Sequence, residues 1–428
     1  MAAESLPMAQ LDALLSNCTE KVAGVKDPRM PYVALEHMAT DAPDLLGIAT
    51  SDTSTSTNTV FRRGDVLFGK LRPYLRKCVA AQFDGYCSTD ILVLRANEGA
   101  DPAFATKMMQ SDRVFNWATS TSYGTKMPRT SWTDLLRLEV YFPPLAEQRR
   151  IAEILDTIDE AIRKTEQVIE KLKAMKQGLL HDLLTRGIDD NGELRPPPAQ
   201  APHLYKDSPL GMIPRGWEVW PFSDFPPPDR PYLKTGPFGS SLKGEHWVEE
   251  GVPVITIGAL GEGEFVESEL LFVSERTAEN LSVYAVREGD IVFSRVADVG
   301  RSVVVSEAGT GWIISSNLMW ISLDAKRVHP HFVWLNLSGN VAVRRQVRRF
   351  VNAGGREVAN AAILNSMRLA WPSIAEQQQI VGRAAALAVR SREEQVNLSK
   401  LRTLKRGLMD DLLTGRVRGE GGGGGGEE

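Results

Sequence analysis

Long apolar runs, paired cysteines and catalytic signatures are all missing from this sequence of 428 residues. No stretch approaches the roughly 18 apolar residues that a membrane-spanning helix requires. The opening MAAESLPMAQLDALL has neither the basic flank nor the apolar run of a signal peptide. Cys18, Cys78 and Cys87 are odd in number and form no CxxC pair, so reduced thiols and a cytoplasmic setting are expected. A net charge of −4 argues against a wholesale polyanion binder and leaves only local basic surfaces. Gly236–Lys243 (GPFGSSLK) lacks the GK[ST] ending of a phosphate-binding loop. Gly258–Gly263 (GALGEG) lacks the spacing and following helix of a dinucleotide fingerprint and reads as a strand and turn. His329 and His331 have no second ligand pair to complete a metal site, and neither HExxH nor a nucleophile elbow occurs. An enzyme working alone, a methyltransferase or nuclease, is disfavoured on these grounds.

What the chain does have is a long-range repeat. Residues 143–185 (PPLAEQRRIAEILDTIDEAIRKTEQVIEKLKAMKQGLLHDLLT) return without a gap at 372–414 (PSIAEQQQIVGRAAALAVRSREEQVNLSKLRTLKRGLMDDLLT). The 15 identities among 43 positions gather at the two ends, AEQ..I and K.GL..DLLT, which marks one unit built twice. In the first copy a heptad seam runs through Leu155, Ile158, Ile162, Thr165, Ile169, Leu172, Lys176, Leu179 and Leu183. The second copy places Ala384, Leu387, Ser391, Glu394, Leu398, Leu401, Lys405, Leu408 and Leu412 at the same sites, so its upper seam is smaller and more polar. Prolines mark both starts, and Gly187 and Gly415 mark both stops. Helices of this length reach roughly 60 Å, too long to bury in one block, so they are expected to pair antiparallel as a coiled-coil spacer.

Between the helices the pattern changes to short runs of alternating polarity. RRGDVLF (62–68) is a near copy of REGDIVF (287–293), and STDILVL (88–94) of SSNLMWI (315–321); all four read as strands. Pro102–Trp117 and Pro330–Val351 read as helices. The expected architecture is mixed α/β with a pseudo-two-fold internal repeat. Its parts are a block over 1–142, a helix over 143–187, a Pro- and Gly-rich linker over 188–216, a block over 217–371, a helix over 372–416 and a Gly-rich tail over 417–428.

Basic residues cluster at matching places in the two blocks. The first block carries Lys70, Arg72 and Arg76 with Tyr74 interleaved, then Lys126 and Arg129 in GTKMPRTSW. The second carries Lys243, Arg295, Arg301, Arg344, Arg345 and Arg356. Lysine and arginine neutralise phosphates, and arginine also reads guanine edges. Taken singly, each cluster reads as a solvated helix face; recurrence in an acidic chain favours DNA contact. Glu147, Gln148, Glu376 and Gln377, at the helix starts, are candidates for a subunit interface or simply acidic N-terminal turns.

YVALEH (32–37), GDVLFGKLRPY (64–74), CSTDILVL (87–94), GTKMPRTSW (124–132), PPLAEQ (143–148), YKDSPLGMIPRGW (205–217) and GPFGSSLK (236–243) complete a pattern. From about residue 30 to 416 the chain resembles the specificity subunit of type I restriction–modification systems. PSIAEQ at 372–377 departs from the family's double proline. The resemblance implies two target-recognition domains, each reading one half of a split, asymmetric sequence in double-stranded DNA, with the helix pair as spacer. It implies two modification subunits carrying S-adenosylmethionine, restriction subunits using ATP and Mg, and no cofactor or catalysis on this chain. A protein–protein scaffold that does not touch DNA is the alternative of a different kind.

Overall fold

Both repeat copies fold as single helices in the computed structural model, Leu145–Thr185 and Ile374–Leu413. Each stops before a glycine at positive φ, Gly187 at 64° and Gly415 at 73°, a conformation that a Cβ would strain. The structure describes residues 6–23, 27, 29–51, 56–238, 241–296, 299–353 and 359–418. Two compact units divide the chain, Met1–Gln167 with Gln395–Glu428, and Val168–Glu394, so the boundary cuts both long helices. That differs from a division at the helix ends, because each unit's core includes the helix halves beside it. Ile151, Leu155, Leu412 and Leu413 pack into the first core, and Leu183, Leu184 and Ile380 into the second.

The first unit holds an antiparallel sheet of β1 (Leu15–Cys18), β2 (Val66–Gly69), β3 (Cys78–Ala80) and β4 (Ile91–Ala96), in the order β1-β4-β2-β3. Helices α1 (Pro102–Met109) and α2 (Asp112–Ser120) cover one face through Phe104, Met108 and Phe115. They replace the one helix expected over 102–117, because Ser111 caps a new helix by accepting from the Val114 amide. The Gly-Asp turn before β2 is a built feature. Asp65 accepts from the Arg62 amide at 2.8 Å and receives a two-pronged ion pair from Arg95 at 2.8 and 2.7 Å. Along the helix halves, Leu155, Ile158 and Thr165 are buried, and the seam positions Leu398, Leu401, Lys405 and Leu408 are half-buried. Lys107 of α1 reaches Asp156 at 2.7 Å and Asp159 at 2.5 Å, and Lys405 reaches Asp159 at 2.6 Å. Two carboxylates thus hold two lysines, and the helix halves run antiparallel, with Arg402 pairing Glu166 at 2.7 Å.

The second unit repeats the sheet with β5 (Leu233–Thr235), β6 (Ile291–Ser294), β7 (Ser302–Val304) and β8 (Leu318–Ile321), in the matching order β5-β8-β6-β7. Asp290 repeats the turn, accepting from the Arg287 amide at 2.8 Å and from Arg230 at 2.8 Å. The expected helix over 330–351 is again two, α3 (Pro330–Gly339) and α4 (Val341–Ala353), with Asn340 between them accepting from the Ala342 amide. The segment read as a linker is folded rather than loose. Tyr205, Ile213 and Trp217 are buried, Tyr205 donates to the Pro196 carbonyl at 2.6 Å, and Arg195 pairs with Glu376 at 2.5 Å. Its prolines serve short strands and turns. The helix halves here meet through Leu179, Leu183, Val381 and Ala384, which line an apolar groove with Trp334 and Leu335.

All three cysteines are unpaired, and burial pushes the Cys87 thiol up to about 12 and the Cys78 thiol higher. Among the described residues no helix is long and apolar enough to cross a membrane.

Candidate nucleic-acid interface

In the first unit the chain leaves β2 through Lys70, Leu71 and Arg72 and is met by the loop Tyr123–Arg129. Backbone pairing fixes the two together. The Arg72 amide donates to the Pro128 carbonyl at 2.7 Å, the Thr130 amide donates to the Lys70 carbonyl at 3.0 Å, and Leu71 bridges Arg129. Arg72 sits at φ 52°, with Pro73 buried and Tyr74 exposed beside it. Arg72, Lys126 and Arg129 are exposed, and Arg129 leans on Asp90 at 3.2 Å. Burial pulls the half-buried Lys70 ammonium below its ordinary range, Asp90 opposes that and Arg129 adds to it. Such a cation gains from an acceptor that completes its coordination, as a phosphate or base edge would.

Arg76 is put to another use. It pairs with Asp41 and Asp112, each at 2.6 Å, and lies 4.7 Å from the Phe115 ring centroid. Its Nε and Nη2 are committed to a neighbouring loop and to α2, so two carboxylates already meet its charge and it is a poorer candidate for DNA contact than Arg72 or Arg129.

The second unit places Arg295 where the first places Lys70. Its amide donates to the Asn317 carbonyl at 3.1 Å, as Lys70 does to Asp90 at 2.8 Å, and its carbonyl accepts from Ala359, as Lys70 does from Thr130. Arg301 is exposed at the start of β7, just after Gly300. Arg344 and Arg345 lie on the outer face of α4, whose inner face is buried through Val343 and Val347. Lys243 is exposed, 3.8 Å from Glu245. Arg356 falls outside the described residues. Lys70, Arg72 and Arg129 are therefore joined by backbone pairing in one surface, whereas in the second unit Lys243, Arg301 and the Arg344–Arg345 pair come from three different elements.

The four residues expected at a subunit interface serve inside the chain. Gln148 and Gln377 are each 1% exposed. Gln148 accepts from the Asp101 amide at 2.8 Å and donates to the Gly99 and Pro143 carbonyls at 3.2 and 2.8 Å. Gln377 repeats this with the His329 amide at 2.8 Å and the Arg327 and Pro372 carbonyls at 3.3 and 3.0 Å. Each glutamine ties the start of a long helix to the cap of α1 or α3. Glu147 accepts from the Tyr141 hydroxyl at 2.8 Å. Glu376 accepts from the Ile188 amide at 2.8 Å, from Arg195, and from the Trp217 indole at 3.1 Å. Buried polar groups must find partners, and the AEQ signature supplies them to the frame.

Charge-based reasoning passed over Tyr123 and Met127, 62% and 49% exposed on the same loop as Lys126. Aromatic and apolar side chains interleaved with cations were the available signal.

The model of the type I restriction modification DNA specificity domain matches residues 27–174 and again 234–386. The chain belongs to that family. It is a DNA specificity subunit of the type I restriction–modification class, with the same domain present twice. The MjaVIII type I restriction enzyme specificity subunit of Methanocaldococcus jannaschii is 20% identical over 303 residues, covering 70% of this chain and 67% of its own. Among solved structures, a chain from a study of complex assembly and conformational transition of the type I R-M system matches with a TM-score of 0.62 at 19% identity. That match covers 97% of this chain and all of the other. The type I S subunit of M. genitalium matches with a TM-score of 0.56 at 15% identity, covering 96% and 98%. At these identities the structural matches speak for the fold of the specificity subunit, including the mixed α/β units and the long helices.

Proposed function

We propose that this specificity subunit reads a bipartite, asymmetric sequence in duplex DNA, one half-site per unit, and contributes no chemistry of its own. The reading is carried by one observation: the same sheet, turn and glutamine anchors recur in both units while the loops beyond β2 and β6 differ. A constant frame with divergent loops suits two unlike half-sites. The helix pair sets the spacer between them. Two modification subunits bring S-adenosylmethionine and adenine-N6 methyl transfer, restriction subunits bring ATP- and Mg-dependent translocation and cleavage, and the complex works in the cytoplasm. Lys70, Arg72, Tyr74, Lys126 and Arg129 contact one half-site, and Lys243, Arg295, Arg301, Arg344, Arg345 and Arg356 the other.

The test is to map N6-methyladenine across DNA from cells expressing the chain with its modification subunit. A single bipartite motif is expected, and methylation without such a motif would refute the proposal. At residue level, Arg72→Ala with Arg129→Ala should weaken binding and lower the salt slope by about 2, near 0.9 for each phosphate no longer neutralised. An unchanged slope would show that neither residue neutralises a phosphate.

A further inference from the structure

Phe238 is the most exposed aromatic side chain among the described residues, at 70%. It rises from a closely packed base. Gly236 and Pro237 are buried, and the Gly236 amide donates to the Leu318 carbonyl of β8 at 3.0 Å. A Cβ at Gly236 would lie 2.0 Å from the Ser315 carbonyl oxygen, so only glycine lets the chain pass this close. Proline then fixes the next φ. The ring itself meets the Arg295 guanidinium, 5.9 Å from its centroid, near the limit of a cation–π contact. That guanidinium is held by the Ser316 and Ala359 carbonyls at 3.3 and 3.4 Å. An exposed ring thus stands at the edge of cation–π reach of Arg295, which occupies the position that Lys70 holds in the other unit.

The ring carries no charge and adds nothing to phosphate binding. What it offers a duplex is an apolar face. Phenylalanine is among the side chains that enter base steps, unstack them and kink the helix, and every base has a face on which an aromatic can stack. Pyrimidine–purine steps unstack at least cost, so a ring used in this way makes the protein sensitive to deformability as well as to base edges.

We propose that Phe238 is a wedge that enters one base step of the half-site read by the second unit, with Arg295 fixing the ring's angle of approach. The inference rests on the DNA reading proposed above and adds a mode of specificity to it. The second unit discriminates partly through how readily a step opens.

The test uses the full chain assembled with its modification subunits. The probes are cognate duplexes carrying 2-aminopurine at each successive position of that half-site. With the wild type one position brightens severalfold. With Phe238→Ala the brightening disappears and cognate affinity falls roughly 10- to 100-fold, while the salt slope stays as it was, because the ring neutralises no phosphate. Phe238→Trp restores most of the brightening. The wedge is overturned if the wild type binds cognate DNA and no position brightens, or if Phe238→Ala matches the wild type in affinity and fluorescence. Loss of a modification subunit from the Phe238→Ala complex, with DNA fluorescence unchanged, would also overturn it and mark the ring as a protein contact. A wild-type complex that retains no DNA overturns the DNA reading and the wedge together.

Discussion

Where the recognition block meets both long helices, the two units have opposite chemistry. In the first, Lys107 and Lys405 share Asp159, with Asp156 on the other side of Lys107. By the register of the repeat, Asp156 and Asp159 correspond to Ala385 and Ala388, and Lys405 to Lys176. Leu335 stands as far after Pro330 as Lys107 stands after Pro102. The second unit therefore replaces a charged cluster with leucine and alanine, and the groove lined by Leu335, Ala385 and Ala388 is what remains. Lys176 is left exposed, with no ion pair among the described residues. One frame supports both solutions because its glutamine anchors and leucine seam do not depend on either. The ionic solution is the more fragile, since a buried ammonium needs every one of its carboxylates.

Removing one partner should show this most strongly. Asp159→Ala leaves the buried Lys107 with Asp156 alone and Lys405 with none. The expected loss is about 2–4 kcal/mol, local to the first unit. Hydrogen exchange in Pro102–Met109 and the facing turns of the long helices measures it, and unchanged protection there would show the cluster to be idle. Acid should act in the same place. Lys107 and Lys405 hold the Asp159 carboxyl below its ordinary value of 3.8 despite burial. A depressed folded value contributes stability above about pH 4 that is lost as pH falls through it. Lys107 is raised above its ordinary 10.5 by its two aspartates, against the opposing effect of burial, so its contribution is full below that value and fades as pH rises past it. The contact at Leu335, Ala385 and Ala388 should show neither limit. Protection that falls equally in both units on acidification would remove the distinction.

The helix starts give a second, smaller contrast. Glu376 satisfies an amide, an indole and Arg195, whereas Glu147 satisfies one tyrosine hydroxyl. Glu376→Gln should cost about 1–2 kcal/mol and Glu147→Gln under about 1 kcal/mol, because only the first leaves a mostly buried guanidinium unpaired. Denaturation of the two variants beside the wild type orders them, and equal losses would mean that the folded segment at 188–217 adds nothing to this helix start.

Local periodicity made some of this legible and not the rest. The heptads predicted which faces of both helices would be covered, down to the polar Thr165, Ser391 and Glu394 and with Lys176 as the exposed exception, because a 3.5-residue spacing alone fixes a helical face. The Gly-Asp copies predicted strands on other grounds, a turn dipeptide followed by a short β-branched and aromatic run, and both strands are buried at every position. Hidden were properties that depend on distant partners. Arg76 looked free because Asp41 and Asp112 lie 35 and 36 residues away along the chain. Gln148 and Gln377 looked like surface residues because burial of an amide depends on carbonyls brought in by another element. The segment 188–216 has the composition of a linker, and only the burial of Tyr205 and Ile213, with Trp217 just beyond it, turns it into part of a core.

The smallest expected effect tests whether position or partnership makes the ionic cluster. Ala388→Asp places a carboxylate at the site corresponding to Asp159, facing Lys176 across the helix pair. It meets one exposed lysine where Asp159 meets two mostly covered ones, and Leu335 offers it no donor. A gain of up to about 1 kcal/mol from an exposed pair is set against partial desolvation beside the groove. The net change should stay within about 0.5 kcal/mol, read by denaturation and by exchange in Pro330–Gly339. A stabilisation as large as the loss in Asp159→Ala would mean that the carboxylate alone carries the cluster and that Lys107 is incidental to it.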